Sequence, residues 1–212
     1  MNTFIHDAFT RKAFATVRER KSIFITGKAG TGKTMLLKQI AEELRPYKRI
    51  AICAPTGVAA KNAGGQTIHS LLGLPISIYI PGHRLGGLYR LSIEDQMLIR
   101  SLDILIIDEV SMVRCDVMDM MDDVLRHYRH NDKPFGGLQV IMFGDLRQLM
   151  PVATDEDWDK LGKYYKSPYF FSSDVIMKTR IPLLELSTVY RQADSDFVGH
   201  FNISEIENQD RK

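Results

Sequence analysis

The chain lacks the features that would take it out of the ordinary globular class. It has only two cysteines, Cys53 and Cys115, in 212 residues, too few for a disulfide framework or a four-cysteine zinc site. Both lie in apolar stretches, which suits a reducing compartment and gives the expectation of a cytoplasmic, intracellular protein. No uninterrupted apolar run approaches the roughly 20 residues of a membrane-spanning helix. The opening MNTFIHDAFTRKAF carries charges and has no apolar signal core, so neither secretion nor membrane insertion is expected. There is no internal repeat and no low-complexity tract. What is present, 44% apolar and 25% charged residues, is the balance of a soluble domain with one substantial core.

The net charge is only +2, but it is unevenly distributed. Residues 1–100 hold 15 Lys and Arg against 6 Asp and Glu, while residues 101–212 hold 13 against 20. A basic half and an acidic half are compatible with a polyanion bound on one side, although the simpler reading is an acidic solvated helix face.

Short apolar runs alternate with helical patterns. Residues 22–26 (SIFIT), 50–54, 104–107 (ILII), 138–143 (LQVIMF) and 183–186 read as five strands. Met35, Leu36, Leu37, Ile40, Ala41 and Leu44 recur at helical spacing, and Pro46 closes that helix. Val117, Met118, Met121, Val124, Leu125 and Tyr128 form a second helical stripe. Continuous apolar strands separated by helices predict an α/β fold, a parallel sheet with helices on both faces. In such sheets chemistry sits at the carboxyl ends of the strands.

The first strand runs into Gly27-Lys28-Ala29-Gly30-Thr31-Gly32-Lys33-Thr34, the GxxxxGK[ST] pattern of a phosphate loop followed by a helix. Glycines let the backbone wrap a phosphate with its N–H groups inward, and a helix starting near Lys33 offers the positive end of its dipole. Lys33 is placed to reach terminal phosphates, and the Thr34 hydroxyl to ligate Mg²⁺. The third strand ends in Asp108-Glu109. Beside a phosphate loop, Asp108 suits magnesium and Glu109 suits a general base that activates water, which favours hydrolysis over transfer to an alcohol. Gln148 follows the fourth strand, where it is either a surface glutamine or a sensor of the γ-phosphate. Asp145 could cap the turn there. Arg191, after the fifth strand, either reaches the γ-phosphate or is simply exposed.

These segments together resemble one family. GKAGTGKT at 27–34, APTGVAAKNAGGQTIHS at 54–70, IIDEVSM at 106–112, PFGG at 134–137, GDLRQLMPV at 144–152 and VYRQ at 189–192 are similar, in order and spacing, to the motifs of superfamily 1B DNA helicases of the RecD/Pif branch. The resemblance implies a P-loop NTPase with a RecA-like sheet, using ATP and Mg²⁺ and moving 5′→3′ on single-stranded DNA. It implies Lys33 and Thr34 as the phosphate lysine and magnesium hydroxyl, with Gly27, Ala29, Gly30, Thr31 and Gly32 completing the nucleotide loop. It implies Asp108 and Glu109 as magnesium carboxylate and catalytic base, Gln148 as γ-phosphate glutamine and Arg191 as the motif IV arginine. Pro55, Thr56, Gly57 and His69 resemble the segments that grip the DNA backbone. Without the resemblance, His69 reads first as a helix-start or core histidine and only second as a phosphate contact.

Three departures accompany it. Residues 1–26 contain no glutamine where the family often carries one that reads adenine, and Met150 stands where the family usually has proline. The chain also ends soon after VYRQ. The expectation is therefore a first motor domain over 1–195, a tail over 196–212 and no second RecA-like domain, most simply a monomer. The alternative is a truncated module that binds single-stranded DNA or a protein partner with little turnover.

Weaker features leave alternatives open. Asp116, Asp119, Asp122 and Asp123 crowd one helix opposite its apolar stripe, as a metal site or, more simply, a solvated face. Tyr164, Tyr165, Tyr169, Phe170 and Phe171 interleave with lysines, as a stacking platform or as packing beside the fifth strand. Residues 72–91 read as a long mobile loop.

Overall fold

The computed structural model describes residues 8–82 and 91–187. Arg191, the VYRQ segment and the expected tail over 196–212 lie outside the described residues. In chain order the elements are α1 (Ala8–Arg18), β1 (Ile23–Gly27), α2 (Lys33–Leu44), β2 (Ile50–Ala54), α3 (Gly57–Ala63), β3 (Gln66–Thr67), α4 (Ile68–Leu72), α5 (Ile93–Ser101), β4 (Ile104–Ile107), α6 (Cys115–Arg129), β5 (Gln139–Gly144), α7 (Asp155–Leu161), α8 (Asp174–Thr179) and β6 (Leu183–Leu186). The sheet is parallel throughout, in the order β3-β2-β4-β5-β1-β6.

Alternation along each strand builds two cores. Leu105 and Ile107 of β4, Val140 and Met142 of β5 and Phe24 of β1 face a core shared with α4, α5 and α6. Ile104, Ile106, Ile141, Phe143, Ile23 and Ile25 face the opposite core, under α1 and α2. Burial on both faces is why these strands read as continuous apolar runs. The edge strand β6 buries only Leu184 and Leu186, and Leu183 and Glu185 alternate into solvent.

The five expected strands are all present, and a sixth joins them. β3 has two residues and pairs with β2 through Cys53↔Gln66 and Ala54↔Thr67, too short to leave a periodic signal. Residues 72–82 are partly anchored: Tyr79 is buried, and its N–H donates to Asp116 at 2.9 Å. Within the aromatic segment, Tyr165 and Phe170 are buried and Phe170 packs edge-on against Phe24. Tyr164 and Phe171 are exposed, with Tyr169 stacked on Phe171.

The expected solvated face of α6 is corrected. Asp116, Asp119 and Asp122 are buried, and each accepts hydrogen bonds from backbone N–H groups of a distant segment. Asp119 accepts from Asp174 and Val175 at the start of α8, and Asp122 from Phe135 of the PFGG turn. Arg114 adds a bidentate pair to Asp116. Burial raises the carboxyl pKa of Asp119 and Asp122, which these N–H donors oppose. Among the described residues no cluster of three or more His, Cys, Asp or Glu could hold a metal.

Candidate active site

The loop after β1 closes around its own backbone. Thr31 donates to the Lys28 carbonyl at 2.9 Å, and Gly32 caps α2 at φ 82°, a conformation that strains a side chain. No side chain caps α2. By contrast α3, α4, α5, α7 and α8 are capped by Thr56, Thr67, Ser92, Thr154 and Ser173. The first-turn N–H groups of α2 are thus left for an anion, with the helix dipole behind them. Lys33 is buried and donates to the carbonyls of Gly27 at 2.6 Å and Lys28 at 3.1 Å. Burial lowers its pKa, while Asp145, Glu109 and Asp108 oppose that shift in decreasing order.

At the tip of β4, Asp108 is 4% exposed, and burial pushes its carboxyl up to about 6. The Glu109 N–H donates to Asp108 Oδ1 at 3.0 Å. Glu109 itself sits at φ 50°, ψ 41° and opens the short helical turn Val110–Met112. That turn lies close against the end of β5, where a Cβ at Gly144 would come within 3.1 Å of the Ser111 nitrogen. Asp145 is buried and caps the next turn by accepting from the Arg147 N–H at 3.0 Å. Gln148 follows, exposed on the rim.

Two cavities meet here. One of about 390 Å³ is lined by Ala29, Gly30, Gly32, Lys33, Thr34, Met35, Glu109 and Gln148. A second of about 310 Å³ shares Thr34, Glu109 and Gln148 and adds Thr56, Val58, Ala59, Asn62, Asp108, Met112 and Leu149. The structure thus gathers Lys33, Thr34, Asp108, Glu109, Gln148 and Thr56. Gly27 and Thr31 support the loop from beneath and line neither cavity. Pro55 and Gly57 flank Thr56 without lining either. His69 stands apart at the start of α4, its pKa lowered by burial and then by Arg114, against Asp116. Pairing of β2 with β3 sets Thr67, the cap of α4, beside Ala54 at the end of β2, two residues before Thr56. Met35 belongs by spacing to the apolar stripe of α2, yet it is 42% exposed and lines the first cavity. Its place one residue beyond Thr34 was the available signal. The electrostatic part of Asp145 had no sequence signal beyond its position at a strand tip.

A family model, PIF1-like helicase, matches residues 6–207. The human ATP-dependent DNA helicase PIF1 is 38% identical over 194 residues, covering 86% of this chain and 27% of that protein. The ATP-dependent DNA helicase Pif1 of Psychrobacter is 34% identical over 185 residues, covering 87% and 27%. The crystal structure of Bacteroides Pif1 bound to single-stranded DNA superposes with a TM-score of 0.83 at 40% identity, covering 91% of this chain and 44% of that one. The chain spans about a quarter of the length of the curated relatives it matches.

Proposed function

The chain belongs to the PIF1-like helicase family, and from that premise we propose that it is the ATP-binding and hydrolysing motor domain of an ATP-dependent 5′→3′ DNA helicase. The observation that carries this is the convergence of Lys33, Thr34, Glu109 and Gln148 on one cavity at the carboxyl edge of the sheet. The loop backbone and the uncapped start of α2 hold the phosphates, and Lys33 exchanges its carbonyl partners for the β- and γ-phosphate oxygens. Thr34 and Asp108 would hold Mg²⁺. The donor set fits: a buried carboxylate whose protonation is favoured by desolvation gains most from a cation beside it, and hydroxyl plus carboxylate oxygens suit a hard ion. When bound, Mg²⁺ would offset the negative charge of the phosphates.

Glu109 takes a proton from water as that water attacks the γ-phosphorus, and the bond to the ADP oxygen breaks. Gln148 orients the water and senses the γ-phosphate. Arg191 is carried as a further γ-phosphate contact on the resemblance of VYRQ alone. Pro55, Thr56, Gly57 and His69 form a grip for the backbone of single-stranded DNA: a hydroxyl, backbone N–H groups and an imidazole all donate to phosphate oxygens. The shared lining of the two cavities gives a short route between nucleotide and grip. The first motor unit runs over 1–195.

The test is calorimetric Mg-ATP binding together with phosphate release. Lys33→Ala should lose binding, whereas Glu109→Gln should retain binding and lose hydrolysis by about 10²–10⁴-fold. Normal hydrolysis by Glu109→Gln would remove the base assignment. Binding of ATP and DNA with no turnover in the unmodified chain would make it a binding module.

A further inference from the structure

The uneven charge of the sequence acquires a location once the sheet is parallel. Every strand then enters from one edge and leaves at the other, and the nucleotide site occupies the leaving edge. Among the described residues, the connectors from a helix into a strand carry seven Lys or Arg against three Asp or Glu. The connectors leaving the strands carry three against three. The surplus of positive charge therefore lies on the edge away from the phosphate loop.

The side chains there are largely free to act. Arg20 and Lys21 precede β1, Arg45, Lys48 and Arg49 precede β2, and Arg180 precedes β6. Arg20, Arg45, Arg49 and Arg180 are exposed and have no carboxylate within ion-pair distance among the described residues. Arg20 and Lys48 line one groove of about 240 Å³, so the segments before β1 and β2 meet across the strands between them. Arg20 and Arg180 also hold left-handed backbone conformations, at φ 59° and 48°, where glycine would sit without strain and offer no charge.

We infer that this amino-terminal sheet edge is a second nucleic-acid contact surface, and that its partner is duplex DNA. Five neighbouring strand entrances, from β2 to β6, span about 19 Å at a spacing near 4.8 Å. That reach takes in phosphates on both sides of a groove about 12 Å wide. A single strand is held in a narrow channel with several stacking aromatics, and among the described residues the connectors along this edge expose one Phe, Tyr or Trp, Tyr47. The inference is independent of the ATPase reading, because it uses none of the residues around the phosphate loop.

The test is fluorescence anisotropy without nucleotide, using a blunt duplex of about 20 base pairs, its single strand and polyglutamate, across a salt series. The triple variant Arg20→Gln/Arg45→Gln/Arg49→Gln should lose duplex affinity by at least about tenfold near 0.1 M salt, and flatten the slope of log affinity against log salt by about 2 to 3. The corresponding lysine triple should restore most of the binding, which separates loss of charge from loss of fold. Duplex binding that survives the glutamine triple, or that is not restored by lysine, overturns the surface. A loss of single-strand binding equal to the loss of duplex binding overturns the duplex assignment, as does polyglutamate competing as well as duplex at equal charge.

Discussion

Replacing Asp108 by asparagine should stabilise the nucleotide-free domain, and the gain should grow with pH. The carboxyl is 4% exposed, and burial raises its pKa from 3.8 to about 6. A group with a raised folded pKa contributes stability that is full below the unfolded value and lost as pH climbs through the folded one. With 3.8 unfolded and about 6 folded, the raised pKa of Asp108 costs the folded state between about 1 and 2 kcal/mol at pH 5 and about 3 kcal/mol at pH 8. The amide oxygen of asparagine can still accept the Glu109 N–H, so that bond need not be lost. Lys33 loses an anionic neighbour, but Asp145 and Glu109 both act on it more strongly than Asp108 does. Asp108→Asn should therefore melt about 6–12 °C higher near pH 8, with a clearly smaller advantage near pH 5. Urea denaturation at the two pH values measures the difference directly. Mg-ATP should then raise the midpoint of the unmodified domain but not that of the variant. A variant no more stable than the parent at high pH, or an advantage that does not grow with pH, would refute an ionised carboxylate held at a cost for the sake of the cation.

The other expectations are more direct. Gln148→Ala should leave Mg-ATP binding within about threefold and slow phosphate release by at least about tenfold, read in single-turnover assays. Thr56→Ala/His69→Ala should weaken single-stranded DNA binding measured by anisotropy, and flatten its salt dependence by about 1 to 2 in slope; an unchanged slope would remove the backbone grip. Asp119→Ala should cost about 2–3 kcal/mol by leaving two N–H donors of α8 without an acceptor, with Asp119→Asn costing less, as read by urea denaturation.

Much of this fold was legible because the strands are short, apolar and buried on both faces. The limits of β2, β4 and β6 coincide with the sequence reading, and β1 and β5 are each shifted by one residue. The phosphate loop was legible for another reason. Its residue types are fixed by backbone geometry and anion contact, so spacing alone identifies it. What escaped were features whose cause lies far away in sequence. The acidic row of α6 has the spacing of a polar helix face, yet its partners come from Tyr79, Phe135 and the Asp174–Val175 start of α8. No local pattern distinguishes a carboxylate facing water from one that caps a remote turn. Likewise two residues of β3 cannot show a period, although their pairing with β2 sets Thr67 beside Ala54, two residues before Thr56.

Arg114 joins those buried carboxylates to the chemistry. It lies between the turn after Glu109 and the start of α6, with its side chain only 14% exposed. It holds Asp116 at 2.6 Å and, through Nη1, Asp157 of α7 at 2.9 Å. The segment bearing Gln148 runs between β5 and α7, so it is fixed at one end by the buried turn at Asp145 and at the other by this ion pair. Between those two points Leu146, Leu149, Met150 and Val152 stand exposed, as does Gln148 itself. Within that stretch Pro151 is buried and Arg147 pairs with Glu185 of β6 at 3.7 Å, so the exposed residues 148–150 between them have the least packing to lose when they shift. That is the mechanical property the proposed γ-phosphate role of Gln148 would require. On that proposal Arg114 would be a positioning residue for Gln148, although the two are 34 positions apart in sequence.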